Sequence, residues 1–320
     1  MENDIKQLLN QKIAVLAGGL SSEREISLKS GRAVFNALLG LNLNTIFLDL
    51  VENFKQQILK VNADVVFIAL HGKQGEDGTI QKILEESNIC YTGSGPQASY
   101  NALSKIISKE IFTQHKIKIA PYQIFKKNQN VTQGEMDKIN LPAVIKPSSE
   151  GSSIGLSIVH EKRNLKSAIE KAFEYGDDII IEDYIKGDEI TVAILDRKPL
   201  PVVKITPGAQ FYDYEAKYFR NDTKYEVPAP IDENIYNIAQ RIGLESHQAL
   251  GCCDFSRVDM IISEKKEIYV LEVNTIPGLT ERSLLPMAAK CSGLSFPKLC
   301  VKILCLALKK KRLKYKPIAF

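Results

Sequence analysis

The sequence predicts an α/β first domain on an open parallel sheet, followed by two α+β units. Three observations predict it. Short apolar runs alternate with amphipathic segments as far as residue 96; the turn-rich stretch Gly93-Ser94-Gly95-Pro96 then breaks the alternation; beyond it, strand-like runs cluster instead of alternating with helices.

Ile13 to Ala17 is apolar and ends in Gly18-Gly19, and Ser21-Ser22 then precede an acidic, amphipathic stretch from Glu23 to Leu39. That reads as a strand, a glycine turn and a capped helix. Thr45 to Leu50 and Val65 to Leu70 are the next strands, with helical segments between, which gives a domain over 1–96. From Ala98 to His115 the pattern is helical. Pro121 to Phe125, Ala143 to Lys146 and Ile179 to Glu182 read as strands around a helix from Asn164 to Glu174, a central unit over 97–186. Past Gly187, strands are expected at Glu189 to Leu195, Val202 to Thr206, Arg257 to Ile262 and Glu267 to Val273. A helix from Glu233 to Leu250 and another starting near Pro297 complete a third unit over 187–320.

Composition narrows the function. The opening MENDIKQLLNQKIAVL does not read as a signal peptide, and no apolar run approaches the ~20 residues that span a bilayer, so a cytoplasmic protein without membrane insertion is expected. The six cysteines form no C-x-x-C pair, and none of the four histidines lies at zinc-ligand spacing from a cysteine. Lys309, Lys310, Lys311, Arg312, Lys314 and Lys316 crowd the C-terminus, and removing these six turns the formal +4 into −2. The basic balance belongs to the tail, read as a solvated helix end, and does not describe a nucleic-acid surface.

Four constellations can carry chemistry. Lys146-Pro147 ends a strand and leads into Ser148-Ser149-Glu150-Gly151-Ser152-Ser153-Ile154-Gly155, which sets hydroxyls, glycines and backbone N–H groups beside a fixed cation. That suits nucleotide phosphates, although a plain glycine-serine hairpin reads the same way. Strand alternation puts Arg257 and Asp259 on one face, and Glu272 and Asn274 on one face of the next strand. Two carboxylates and an amide oxygen make a hard-oxygen site of the kind Mg²⁺ takes, with cross-strand polar pairing as the competing reading. Glu182-Asp183-Tyr184-Ile185, with Glu189 beyond, offers backbone groups to a purine edge and a carboxylate to ribose hydroxyls. Glu23 and the segment His71-Gly72-Lys73-Gln74-Gly75-Glu76-Asp77-Gly78 follow strands of the first sheet, where ligands of open α/β sheets collect.

In this order the segments GGLSSEREIS, HGKQGEDGTIQ, IKPSSEGSSIG, RVDMII and LEVNTIPGLTERSLLP resemble the D-alanine:D-alanine ligases of the ATP-grasp superfamily, from about residue 12 to residue 300. The resemblance implies an ATP-grasp fold behind an N-terminal open parallel-sheet domain. ATP would lie between the central and C-terminal units, with Lys105 and Lys146 at its phosphates and Ser152 and Ser153 closing over them. Glu182, the Ile185 backbone and Glu189 would hold adenine and ribose. Two Mg²⁺ (or Mn²⁺) ions would be held by Asp259, Glu272 and Asn274.

The implied reaction phosphorylates one D-alanine carboxylate, and a second D-alanine amine then attacks the acyl-phosphate. Glu23 would bind the first ammonium with His71 nearby; Arg257 and the Gly278 N–H would stabilise the oxyanion; Ser283 and the Leu284 backbone would receive the second carboxylate. Gln210 to Tyr218 resembles the family's lid, with Lys217 reaching the phosphate and Tyr218 bonding to Ser152 and Glu23. A tyrosine there is what dipeptide-forming members carry, so D-alanine is favoured over D-lactate. Dimerisation through the first domain is the family's habit. One departure is visible: Leu103-Ser104 stands where Met-Asp usually precedes the family's lysine, so Lys105 and Lys109 compete for that role.

Overall fold

The computed structural model describes residues 2–129, 131–208 and 223–310. The first unit opens with helix α1 (Glu2–Leu8) and strand β1 (Ile13–Gly18), followed by α2 (Arg24–Leu39), β2 (Thr45–Leu50), α3 (Phe54–Val61), β3 (Val65–Ile68), α4 (Thr79–Glu86) and β4 (Cys90–Tyr91). Its four strands pair parallel in the order β2-β1-β3-β4, with β1 and β3 buried at every position, as continuous apolar runs require.

The single helix expected from Ala98 to His115 is two: α5 (Pro96–Leu103) and α6 (Lys105–Gln114). Ser104 is extended (φ −75°, ψ 104°), and its hydroxyl accepts the Ile107 N–H at 3.4 Å, so the chain stops one helix and caps the next on one residue. The central sheet contains β5 (Tyr122–Lys126), β6 (Ala143–Pro147), β7 (Ser157–Val159) and β8 (Asp178–Asp183), ordered β5-β8-β6-β7 and antiparallel. Helices α7 (Gln133–Met136) and α8 (Leu165–Phe173) belong to this stretch, and α8 buries Leu165, Ala168, Ile169 and Ala172.

The third unit carries β9 (Gly187–Leu195), β10 (Lys198–Pro199), β11 (Val203–Thr206), β12 (Lys224–Glu226), α9 (Glu233–Ala249), β13 (Phe255–Ser263) and β14 (Ile268–Asn274). Among the described residues its sheet runs β12-β11-β9-β13-β14, with β10 against β9. The register of β13 and β14 slips after Asp259, which faces Glu272, whereas Met260 faces Val270. Leu271 is the extra residue of this bulge, and it joins Glu272 on the exposed side.

The last two helices, α10 (Leu284–Cys291) and α11 (Phe296–Lys309), bridge that sheet and the first unit. Leu299, Cys300, Ile303 and Leu304 share one core with Leu8, Val15, Val34, Leu38 and Phe67 of the first unit. These helices, expected to belong to the unit over 187–320, therefore also pack on the N-terminal sheet. Helix α11 is apolar around most of its circumference, as a helix buried between two partners must be.

Candidate active site

Two cavities meet between the three units. The first, about 440 Å³, lies between the central and third sheets and is lined by Lys105, Lys146, Glu150, Ser153, Glu182, Ile185, Glu189, Asp259 and Glu272. The second, about 610 Å³, draws on all three units, with Glu23, His71, Glu76, Ser152, Arg257, Asn274, Gly278, Ser283 and Leu284 in its walls. Both volumes suit small-molecule sites, and Glu272 lines both cavities. The sequence-predicted residues of the described chain therefore gather in one place; Lys217 and Tyr218 lie outside the described residues.

The loop between the cavities is held in an uncommon shape. Ser152 (φ +51°) and Ser153 (φ +60°) are both left-handed, and the Ile154 N–H donates to Gly151 O at 3.1 Å, which makes a type I′ turn. Each left-handed serine costs on the order of 1–2 kcal/mol. The turn sets one serine on each cavity, since Ser153 lines the first and Ser152 the second. The Ser152 hydroxyl donates to the Glu23 carboxylate, a link between the central and first units.

Glu23 sits at the N-cap of α2 and makes no capping bond. Ser21-Ser22 do not cap the helix by side chain either: the Ser21 hydroxyl donates to His71 O at 2.8 Å and accepts the Glu23 N–H at 3.2 Å. A Cβ at Gly72 would lie 2.7 Å from Glu23 Oε2, and one at Gly151 2.9 Å from the same atom. The two glycines thus let two loops close onto this carboxylate.

His71 is buried. Its Nε2 lies 2.9 Å from Ser30 Oγ, which accepts the Leu279 N–H at 3.2 Å, and a ring N–H bonds to the Ile276 backbone. Burial pushes its pKa down to about 4, with Arg257 adding to the effect, so the ring is neutral at pH 7. Glu76 was part of the HGKQGEDG motif but carried no assigned role. It accepts the Gly72 N–H at 2.8 Å, and burial followed by the nearby Glu23 charge pushes it up to about 8. Glu23 and Glu76 face one cavity, and an ammonium group bound between them would favour the ionised form of both. No sequence pattern reveals that burial.

Lys105 and Lys109 separate clearly. The Lys105 ammonium donates to Glu150 O at 2.6 Å and stands 3.7 Å from Glu272. Lys109 points into the protein, where Glu182 receives it at 2.9 Å and Lys146 at 3.0 Å. Burial would raise Glu182, but Lys146 and then Lys109 outweigh it and hold the carboxylate below its usual range, while burial lowers Lys109. One carboxylate between two ammoniums keeps its charge, and Glu182 thereby fixes Lys146 in the wall of the first cavity.

Asp259 is enclosed by donors: Arg257 Nε at 2.8 Å and Nη2 at 2.7 Å, Thr191 Oγ1 at 2.7 Å and Asn274 Nδ2 at 3.0 Å. With Glu272 across the ladder, the donor set is all oxygen apart from the Asn274 amide nitrogen, and reversing that amide presents its oxygen instead. This set fits a hard divalent cation, and the Lys105 ammonium stands beside Glu272 as a cationic neighbour. Among the described residues no preassembled cluster of three His, Cys, Asp or Glu ligands is present. Ser283 forms the N-cap of α10, with its hydroxyl 2.9 Å from Thr280 Oγ1, and this helix start opens on the second cavity beside Gly278. Its free N–H groups suit a carboxylate.

Comparison with known proteins adds the family. The family model described as D-ala D-ala ligase C-terminus matches residues 111–305, and that described as D-ala D-ala ligase N-terminus matches residues 44–94. The chain is 43% identical over 303 residues to a D-alanine–D-alanine ligase of Geotalea uraniireducens, covering 95% of this chain and 97% of that one. It is 44% identical to that of Geobacter sulfurreducens, covering 93% and 94%. Among solved structures, the Bacillus anthracis D-alanine–D-alanine ligase complexed with ATP superposes with a TM-score of 0.84 at 34% identity, covering 93% and 98%. A D-Ala:D-Ser ligase of Enterococcus faecalis gives 0.80 at 32%, covering 93% and 99%.

Proposed function

The chain belongs to the D-alanine–D-alanine ligase family, and from that premise we infer that it joins two D-alanine molecules with conversion of ATP to ADP and phosphate, for peptidoglycan precursor synthesis. The observation that carries this reading is the placement of Glu272 in the shared wall of a lysine-lined cleft and an amino-acid-sized cavity.

A carboxylate is a poor electrophile, so the first D-alanine must be activated. Its oxygen takes the γ-phosphoryl group of ATP, with Lys105 and Lys146 at the phosphates and Glu182, Ile185 and Glu189 at the adenine and ribose end. Asp259, Glu272 and Asn274 would hold Mg²⁺ or Mn²⁺, which when bound neutralises charge on the transferring group. Glu23, with Glu76 beside it, receives the first ammonium. The second D-alanine, its carboxylate on Ser283 and the Leu284 N–H, presents its amine to the acyl-phosphate carbonyl. The C–N bond forms, the oxyanion is met by Arg257 and the Gly278 N–H, and phosphate leaves as the carbonyl reforms. Lys217 and Tyr218, outside the described residues, would on the family resemblance help keep out water that hydrolyses the acyl-phosphate.

Purified chain with ATP, Mg²⁺ and D-alanine is expected to release phosphate and form dipeptide. D-Serine, D-lactate or an L-amino acid outperforming D-alanine as second substrate would redirect the assignment within the family, and no phosphate with any of them would end it. The chain acts in the cytoplasm, where ATP is available, and pairs as a homodimer through its first unit, which exposes Leu39, Val51 and Leu59. Sedimentation giving a monomer at micromolar concentration would remove the pairing.

Two shifted groups of the amino-acid cavity predict its pH behaviour. His71, already neutral with a pKa near 4, contributes no ionisation between pH 5 and 8, whereas Glu76 titrates near 8. An ionisation near pH 8 in kcat/KM for D-alanine should therefore vanish in Glu76→Gln and persist in His71→Gln. The reverse pattern would exchange the two assignments.

A further inference from the structure

The cation at the end of α11, which the sequence groups with a solvated tail, is engaged inside the fold. The Lys310 ammonium pairs with Asp254, whose side chain is 3% exposed, and also donates to Gly93 O at 3.0 Å. Asp254 Oδ2 accepts the Gly93 N–H at 3.0 Å, and the Cys253 N–H donates to Ser94 Oγ at 3.1 Å. One lysine, one carboxylate and the backbone of one glycine thus join the end of α11, the turn after β4 and the loop before β13.

Each joined segment leads to part of the amino-acid cavity. Thr92 ties the turn to the end of β3, its N–H donating to Val66 O and its Oγ1 accepting the Ile68 N–H, both at 3.0 Å; His71 follows three residues on. Asp254 immediately precedes β13, which carries Arg257 and Asp259. Gly93 lies over the Phe255 ring, and a Cβ there would be 3.9 Å from the carbonyl of Thr275, the residue after Asn274. Among the described residues the nucleotide cleft takes no lining residue from the first unit, whereas the amino-acid cavity is walled from both sides of this joint.

We propose that Lys310 is a positioning residue for the ligation: its ammonium sets the first-unit loops that hold the amino acid in register with the strand that carries Arg257. It touches no substrate. Without it, the buried Asp254 carboxylate loses the Lys310 charge, and the cheapest relief is to admit water and let the Gly93 turn part from the 251–254 loop. A displacement on the order of 1 Å between reacting groups costs up to about 10²-fold in rate. The amino-acid site takes that loss and the ATP site does not.

The proposal rests on the ligation reading, and steady-state kinetics of the full chain separate the two. Lys310→Met is expected to raise KM for D-alanine about tenfold or more and to lower kcat, with KM for ATP within about twofold of the unsubstituted chain. Asp254→Asn should behave alike. Lys310→Arg, which keeps the charge, should restore near-normal constants, as should a chain in which Lys311, Arg312, Lys314 and Lys316 are all Gln. A Lys310→Met enzyme with normal KM for D-alanine, or with both KM values raised equally, would overturn the positioning role. So would a neutralised tail that reproduces the Lys310→Met defect. Should Lys310→Met fail to fold, Lys310→Arg and Asp254→Asn carry the same comparison. An inactive unsubstituted chain would instead overturn the ligation itself.

Discussion

Glu272→Gln is expected to leave a folded chain that binds ATP and turns over at least about 10³-fold more slowly, from the several kcal/mol that metal-borne charge stabilisation supplies to a phosphoryl transition state. Glutamine has the same length and shape, and the side chain is only a quarter exposed, so packing is preserved and the melting curve should barely move. What is lost is the charge. Glu272 faces Asp259 across the ladder, stands 3.7 Å from the Lys105 ammonium and borders both cavities, so on the function proposed above it is the carboxylate that would act where the phosphoryl group passes from one to the other. Phosphate release in a single turnover, read beside a thermal melt, checks both halves of the expectation. Normal release by the variant would take Glu272 out of the metal set.

Glu182→Leu should be damaging for a different reason. It strands two lysines, one of them 2% exposed, and leaving a buried charge unpaired costs about 3–5 kcal/mol. The double variant Glu182→Leu with Lys109→Met should recover much of that loss, because an apolar pair replaces an ion pair at little cost. ATP affinity should stay low even then, since Lys146 has lost the carboxylate that orients it. The pH dependence has a definite sign. Glu182 is held below its ordinary value of 4.5, so its contribution is complete above 4.5 and is lost as pH falls through the lowered value. Urea melts at neutral and acid pH should show the unsubstituted chain losing stability on acidification and the double variant losing less. Equal losses would place the acid sensitivity elsewhere.

Much of the site was legible because strand alternation is a strong constraint. Arg257, Asp259 and Asn274 do share a face, as their spacing requires, and their side chains bond directly. Motifs whose composition differs from ordinary loops, such as the 148–155 hairpin, were also readable. Three features were not, each for a physical reason. Lys109 occurs in an amphipathic helix where a buried lysine and an exposed one look identical; only the position of Glu182 in space decides between them. The break at Ser104 rests on one hydroxyl that competes with the helix ladder, a balance of about a kilocalorie that periodicity does not carry. Glu76 depends on burial created by loops from distant parts of the chain.

The packing of α11 on the first sheet has a bearing on biogenesis. A nascent chain that has delivered β1 to β4 has α2 on this face but still lacks Leu299, Ile303 and Leu304, which complete one core with Val15, Val34 and Phe67. Strands β1 to β4 must therefore wait, with this face only partly covered, until residues 299–304 have left the ribosome. During translation that waiting sheet is the surface where chaperones would engage and where self-association would begin.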